Sequence, residues 1–438
     1  MLHKKSISHS HLLTIFLTLL LTFSKVGVMP VKADSLPAPL IINYSFTVNS
    51  TLDLPDDLTQ PGTCHTAANT CTLRAAIMQA NRAGFIVSSV TINVPSGHYV
   101  LTPPASPANG DESGDLNLTT PTAHTIIMGA GAATTIIDAN SYDRVLHVHS
   151  GSSVYISGIT IQNGYLNIYP GSGCGIYNEG FLNLSDMVIT NNHCAGYGGG
   201  IYNVNSLDIS DSTINLNTSS FGGGGIRESG SYLSIMNSTI SGNSSTGSNG
   251  GGIFSNGTQI KISNSTINNN SAYGSGGGIY NDSQNLVLIN STLTGNLANL
   301  NGGAILNKST GQVNVYNSTI VFNGADWDAD INGGQAGGVY NTGAFNMRNT
   351  LLAGNSVSGA PVYDDCSGTI SSYGRNLIWA PYDDTSGSCT VYTGTGTWAQ
   401  LNDLNLLGIF MPNDWGGFFQ HWSYVVSFRP PPNRPAHI

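Results

Sequence analysis

The chain is 438 residues long, enough for a large solenoid or two ordinary domains. Only 9% of its residues are charged, 54 are glycine, and the formal net charge is −10. That composition offers no basic patch to neutralise phosphates, which excludes nucleic acid as a partner, and leaves solubility to Asn, Ser and Thr.

Residues 1–33 read as a secretory signal. Lys4 and Lys5 give the positive start, Leu12 to Phe23 the apolar centre, and Val31-Lys32-Ala33 a small-residue cleavage site before Asp34. The apolar run is too short to span a bilayer, and no later segment is long enough. We therefore expect an exported chain, extracellular or attached to a cell surface, with no transmembrane segment once the signal is removed.

Residues 34–89 form an N-terminal unit. Tyr44 to Asn49 alternates as a strand does, and a turn-rich loop holding Cys64 follows. Thr72 to Arg82 is the one helical pattern in the chain. Thr72 is the expected N-cap, Leu73, Ala76, Ile77 and Ala80 make the apolar stripe, and Gly84 is the stop. A solenoid needs its open end covered, and this short helix is the candidate cap.

Residues 90–360 form the solenoid. Val90 to Val94, Tyr99 to Leu101, Thr125 to Met128 and Thr135 to Ile137 read as strands of irregular first coils, with a polar excursion from Pro103 to Thr122. Val154 to Gln162 begins the regular stack, although Asn163 falls one position out of the later register. Two phrases then recur every 25 to 27 residues, except for a longer last step. Ile176, Ile201, Ile226, Ile253, Ile279, Ile305 and Val339 mark the first phrase, each after glycine or, once, after Ala304. Ile189, Ile214, Ile240, Ile267, Leu293, Ile320 and Leu352 mark the second. Between them sit apolar pairs two residues apart, such as Ile260 and Ile262, which is strand spacing with both side chains on one face. A repeat of this length built from strands is a solenoid coil.

Two polar columns set the turns. Asn192, Asn217, Asn243, Asn270, Asn296, Asn323 and Asn355 follow each second marker by three residues without exception. Asp186, Asp211, Asn237, Asn264, Asn290, Asn317 and Asn349 precede it by three. Stacked asparagines can bond along the stack as ladders, and Asn tolerates left-handed turns. One coil buries too few aliphatic side chains to offset the ordering of its backbone, so a lone coil cannot fold and stacking must supply the rest. The fold class is therefore all-β, a single-stranded parallel β-helix, with right-handed winding expected from the general handedness of parallel crossovers.

The step from Ile305 to Val339 contains an insertion, Asp326 to Asn332, that should protrude. Residues 361–438 lose the pattern. Cys366, Cys389 and Trp398 suggest a disulfide-held closing segment. The end after Phe410 is rich in aromatics and proline, without period, as a shifted reading frame would leave it. The six cysteines fit an oxidising compartment, and proximity favours Cys64–Cys71, Cys174–Cys194 and Cys366–Cys389.

Cys71-Thr72-Leu73-Arg74-Ala75-Ala76-Ile77, followed by Ala80-Asn81, resembles the CSLREA motif of secreted bacterial β-helix proteins, with Ala75 where that motif has Glu. Gly129-Ala130-Gly131, Ile136-Ile137-Asp138 and Gly158 to Gly164 are similar to the same group. The Gly-Gly-Gly-Ile-Tyr-Asn phrases resemble those of choice-of-anchor Q proteins and the GGAI repeats of polymorphic outer-membrane proteins. That resemblance implies a pectate-lyase-like right-handed solenoid and an address at the cell surface. It transfers no catalytic residue, and the family's closing HALLPGSPAID-like phrase is absent.

For chemistry, no GxSxG, HExxH, P-loop or Rossmann fingerprint is present. Asp326, Asp328, Asp330 and Asn332 place oxygen ligands at alternate positions, a spacing that suits Ca²⁺; no other cofactor is implied, and none is required. Against calcium, Ile331 stands where an EF-hand wants glycine, which leaves a solvated acidic loop as the plainer reading. His147 and His149 flank Val148 and so share a face, but such a pair alone reads as structural. Arg227, Lys261, Lys308 and Arg348 are scattered rather than gathered for lyase chemistry. Tyr177, Tyr202, Phe254, Tyr280 and Tyr340 form an outward column, either a strip for sugars or a stack that steadies the coils. We expect a monomeric, non-catalytic binding or adhesion module for polysaccharide or a cell-envelope glycan. The rival is a lyase or glycoside hydrolase on the same scaffold.

Overall fold

The computed structural model describes residues 42–83, 87–103, 112–120, 123–169, 171–328, 333–358, 364–378, 389–393 and 399–400, the last few by backbone alone. The secretory signal, Asp330, Asn332, Trp398 and the stretch after Phe410 lie outside the described residues. Within them the chain is the all-β parallel β-helix that the repeats lead one to expect.

Each regular coil contains four strand segments. One coil runs through Ile253–Ser255, Gln259–Ser263, Thr266–Asn268 and Ser271–Ala272, and the next through Ile279–Asn281, Asn285–Ile289, Thr292–Thr294 and Leu297–Ala298. Every segment pairs in parallel with its counterpart one coil on, Ile253 facing Ile279, Ile260 facing Leu286, Ile267 facing Leu293 and Ser271 facing Leu297. Like side chains therefore lie above like. The four inward aliphatics of that coil, Ile253, Ile260, Ile262 and Ile267, are wholly buried, and the same positions in other coils join them in one continuous core.

The turns follow from residue type. The exposed column from Asp186 to Asn349 is left-handed throughout, with φ between 49° and 53°. Its amides link coil to coil, for example Asn264 Nδ2 to Asn237 Oδ1 at 3.3 Å. Beside it, each serine from Ser212 to Ser318 accepts from the backbone N–H one coil before and donates to the carbonyl two residues back, as Ser265 does at 3.1 and 2.7 Å. In the glycine phrase, Gly276 sits at φ +68°, and a Cβ on Gly277 would lie 2.3 Å from the carbonyl oxygen of Leu297. The first glycine is needed for backbone shape and the second for close approach of the next coil.

The second asparagine column is the fully buried one. Asn270 Nδ2 donates to Asn296 Oδ1 at 2.9 Å and to the carbonyl of Ile240 at 3.0 Å, while its backbone N–H also reaches Asn296 Oδ1. Its own Oδ1 accepts from the backbone and side chain of Asn243. The rung repeats from Asn192 to Asn355, and Asp365 takes the last one, accepting from Asn355 N and Nδ2 on a single oxygen. Before the first rung Gly164 stands in the ladder position and Asn163 in the left-handed one, which explains the one-residue offset of Asn163.

The helix spans Leu73–Asn81, and Thr72 Oγ1 accepts from Ala75 N as an N-cap. It is buried on more than its apolar stripe. Arg74 forks onto Asp53 at 2.7 and 3.0 Å and donates to the Gly114 carbonyl, while Gln79 bonds Asp56. The polar loops around it cover the faces that the stripe leaves bare. Ala75, wholly buried, leaves no room for the glutamate of the related motif. Disulfides join Cys64 to Cys71, Cys174 to Cys194 and Cys366 to Cys389.

Replacing Asn270 with Ala leaves the amide groups of Asn243, the Asn296 oxygen and the Ile240 carbonyl short of partners inside the core. At about 1–3 kcal/mol for each buried group left unpaired, several kcal/mol are lost. Asn264→Ala, in the exposed column, should stay within about 1 kcal/mol. Denaturant midpoints of the two variants check this, and equal losses would refute the buried ladder as the stronger one.

Candidate functional site

Adjacent to each buried marker isoleucine, the next residue faces outward. Register makes these residues one file: His147, Tyr177, Tyr202, Arg227, Phe254, Tyr280, Leu306 and Tyr340 are paired coil by coil. Tyr177 stacks on Tyr202 with centroids 5.3 Å apart, and Phe254 stacks on Tyr280 at 4.5 Å. Arg227 fills the gap between the two stacks. Its guanidinium lies 3.7 Å from the Phe254 centroid and 5.0 Å from that of Tyr197, and no carboxylate pairs with it among the described residues. The aromatic file thus uses its ring faces on itself, with Tyr280 and Leu306 buried and the Tyr177 hydroxyl bonded to Glu179.

Sequence reading treated Arg227 as one of four scattered cations. The structure inserts it into the aromatic file. Lys308 pairs with Asp282 at 3.1 Å and approaches Tyr280, while Lys261 and Arg348 lie on the neighbouring five-residue strands. These cations do not converge with the Asp326 loop. Asp326 is buried and left-handed, whereas Asp328 is exposed and accepts from Asn299 at 2.9 Å; Asp330 and Asn332 are not among the described residues.

The buried file beneath the aromatics was missed by sequence reading. Asn178, Asn203, Glu228, Ser255, Asn281, Asn307 and Asn341 follow the outward residues and point inward, with Asn178 Nδ2 on Asn203 Oδ1 at 2.6 Å and Asn281 Nδ2 on Asn307 Oδ1 at 2.8 Å. The Ile-Tyr-Asn phrase carried this signal. Glu228 interrupts it, its two oxygens accepting from Asn203 Nδ2 at 2.7 Å and Gly230 N at 2.6 Å. Burial pushes its carboxyl up to about 7, against the opposing pull of those two bonds.

At the N-terminal end of the outward file a second cluster forms. His147 and His149 stack with centroids 3.7 Å apart, and the next coil brings Glu179 to them, with Oε2 3.0 Å from His147 Nε2. Tyr177 donates to Glu179 Oε1 at 3.2 Å, and His149 Nε2 lies 2.9 Å from Asn117 Oδ1. Burial, then the nearby Arg144 and His149, lower His147 to about 4, while Glu179 opposes them; burial and Glu179 push the Tyr177 phenol up to about 12. Arg144 lies over Tyr177 at 5.1 Å and is paired with Asp115 at 3.1 Å. Sequence spacing gave the two histidines but not Glu179, because its proximity depends on the register between coils.

One concavity among the described residues, of about 310 Å³, is lined by Ser141, Tyr142, Asp143 and Tyr165 to Ile168, and holds one carboxylate with no basic side chain.

The family model for the Chlamydia polymorphic membrane protein repeat matches residues 186–204 and 264–282, each running from an exposed turn residue through an Ile-Tyr-Asn phrase. No curated protein matches. Among solved structures, the chain is similar to pectate lyase Pel9A at 12% identity, over 82% of this chain and 79% of that one, with a TM-score of 0.36. It is similar to Geobacillus virus E2 ORF18 at 9% identity, over 92% of this chain and 66% of that one, with a TM-score of 0.37. Two segments of the chain thus resemble that repeat, and both lie on the β-helix. No helix among the described residues is long and apolar enough to cross a membrane.

Glu228 makes stability depend on pH. Its folded value of about 7 lies above the ordinary 4.5, so below pH 4.5 both folded and unfolded chains hold the proton and its contribution is complete. Between pH 4.5 and 7 the unfolded chain releases the proton first, and stability falls by on the order of 3 kcal/mol. Glu228→Gln should flatten that decline, as read from denaturant midpoints at pH 4.5, 6 and 8. An equally steep decline in the variant would refute the assignment.

Proposed function

We propose that this is an exported, surface-associated, non-catalytic β-helix that binds carbohydrate or a cell-envelope glycan along its aromatic–arginine file. The observation that carries the reading is Arg227, set between Phe254 and Tyr197 with no carboxylate partner among the described residues. An Arg held between rings with no carboxylate partner among the described residues suits a carboxylate-bearing sugar, and the partly exposed Tyr202 beside it adds an aromatic contact along a chain-like ligand. Calcium at Asp326, Asp328, Asp330 and Asn332 is not required for this binding.

A second reading, a polysaccharide lyase or glycoside hydrolase, is favoured by one observation, the meeting of Arg144, His147, Tyr177 and Glu179 at one end of the file. Lyase chemistry needs a base and a charge-neutralising group facing one substrate cleft. Here Arg144 is already paired with Asp115, and Tyr177 is hydrogen-bonded to Glu179.

A glycan array that includes uronate-containing polymers, run beside a lyase assay on pectin-type substrates, separates the two. The expected outcome is binding without turnover, weakened by on the order of tenfold in Arg227→Ala, the loss of about 1.4 kcal/mol. Strong turnover establishes the enzyme instead, and unchanged binding in Arg227→Ala removes the file as the site.

A further inference from the structure

We propose that His147, His149 and Glu179 form a site for a divalent transition metal of the zinc type. The inference is independent of glycan binding.

The fold supplies the three groups for reasons of register. Strand spacing sets both imidazoles on the outer face of Leu146–Val148 and its continuation, with Val148 buried between them. Parallel pairing places Tyr177 beside His147, and Glu179, two residues on, emerges on the same face. One ligand atom from each of the three lies within 4.8 Å of the others. Metal–ligand distances of about 2.0–2.2 Å in a tetrahedral site require ligand atoms about 3.3–3.6 Å apart. His147 Nε2 and Glu179 Oε2 are already 3.0 Å apart, and His149, stacked on His147 with its ligand atom within 4.8 Å, has to turn out of the stack to close the site.

The surroundings suit a metal as well as the ligands do. Asn117 Oδ1, at 2.9 Å, accepts from one nitrogen of His149 and leaves the other for the ion. Tyr177 holds the second oxygen of Glu179 at 3.2 Å, which fixes the carboxylate's orientation. Such outer hydrogen bonds commonly position metal ligands. The nearest cation, Arg144, has its charge met by Asp115 at 3.1 Å. Two imidazoles and one carboxylate favour zinc or its transition-metal neighbours over calcium or magnesium, which take oxygen ligands. The three ligands leave a fourth position facing outward, since His147, His149 and Glu179 are all half-buried rather than enclosed.

The test uses the full chain, stripped with chelator and titrated with Zn²⁺ by calorimetry, with Co²⁺ as a spectroscopic probe. The expected result is one stoichiometric site, with intense visible bands of four-coordinate Co²⁺. His147→Asn and Glu179→Gln should each weaken Zn²⁺ by on the order of tenfold or more, and Tyr177→Phe by a smaller factor, since even outer-sphere losses reach about tenfold. His149→Gln provides a further ligand variant should either of the first two fail to fold. Absence of stoichiometric binding in the parent chain overturns the proposal. So does binding that the folded ligand variants retain unchanged, which would place the ion at other histidines such as His65 or His98.

Discussion

The structure depends on the buried amide ladder. Each asparagine from Asn192 to Asn355 bonds onward to the next through both its backbone and its side chain, and back to the isoleucine or leucine carbonyl of an earlier coil. No water reaches these groups, so a coil that slipped by one residue would strand several of them at once. The aliphatic core alone would tolerate some slippage, since Ile, Leu and Val interchange at its positions. The amides do not. They set the register that the apolar core then fills.

The ladder also has a direction. In each rung the backbone N–H and one side-chain N–H point toward the C-terminal end, the other side-chain N–H turns back to an earlier coil, and Asp365 receives the last onward pair. A carboxyl suits that place, because one of its oxygens takes both onward hydrogen bonds of Asn355. The exposed column runs the other way, with Asn264 donating to Asn237 and Asn290 to Asn264. Opposed side-chain ladders thus border the same turn, the inner one dry and obligatory, the outer one wet and replaceable, as its two aspartates at Asp186 and Asp211 attest.

What the sequence made legible was whatever repeats. The coil period, the inward aliphatics, the turn asparagines and the outward aromatics each occur often enough to define a column. Three features escaped for a common reason. Arg74 is buried because loops from Asp53 and Gly114, distant in sequence, close over it. Glu179 joins the histidines only through pairing between coils. Glu228 drew no notice, because alternation alone does not say that the residue after Arg227 shares a buried file with asparagines. In each case the missing information is a contact between coils that no local pattern encodes.

In a stack of near-identical coils, whatever distinguishes one place from another must come from residues that break a column. Breaks in the dry columns carry a penalty, and those on the surface do not. Coil Ile226–Glu228 breaks two columns at adjacent positions, placing Arg227 among aromatics and Glu228 among amides. The pair is not an ion pair, since one residue points outward and the other inward. Burial raises the Glu228 carboxyl, and Arg227 opposes that rise only weakly. A cation with no carboxylate partner among the described residues is retained at the middle of the outward file, where a repeat built only for stability would have placed another tyrosine.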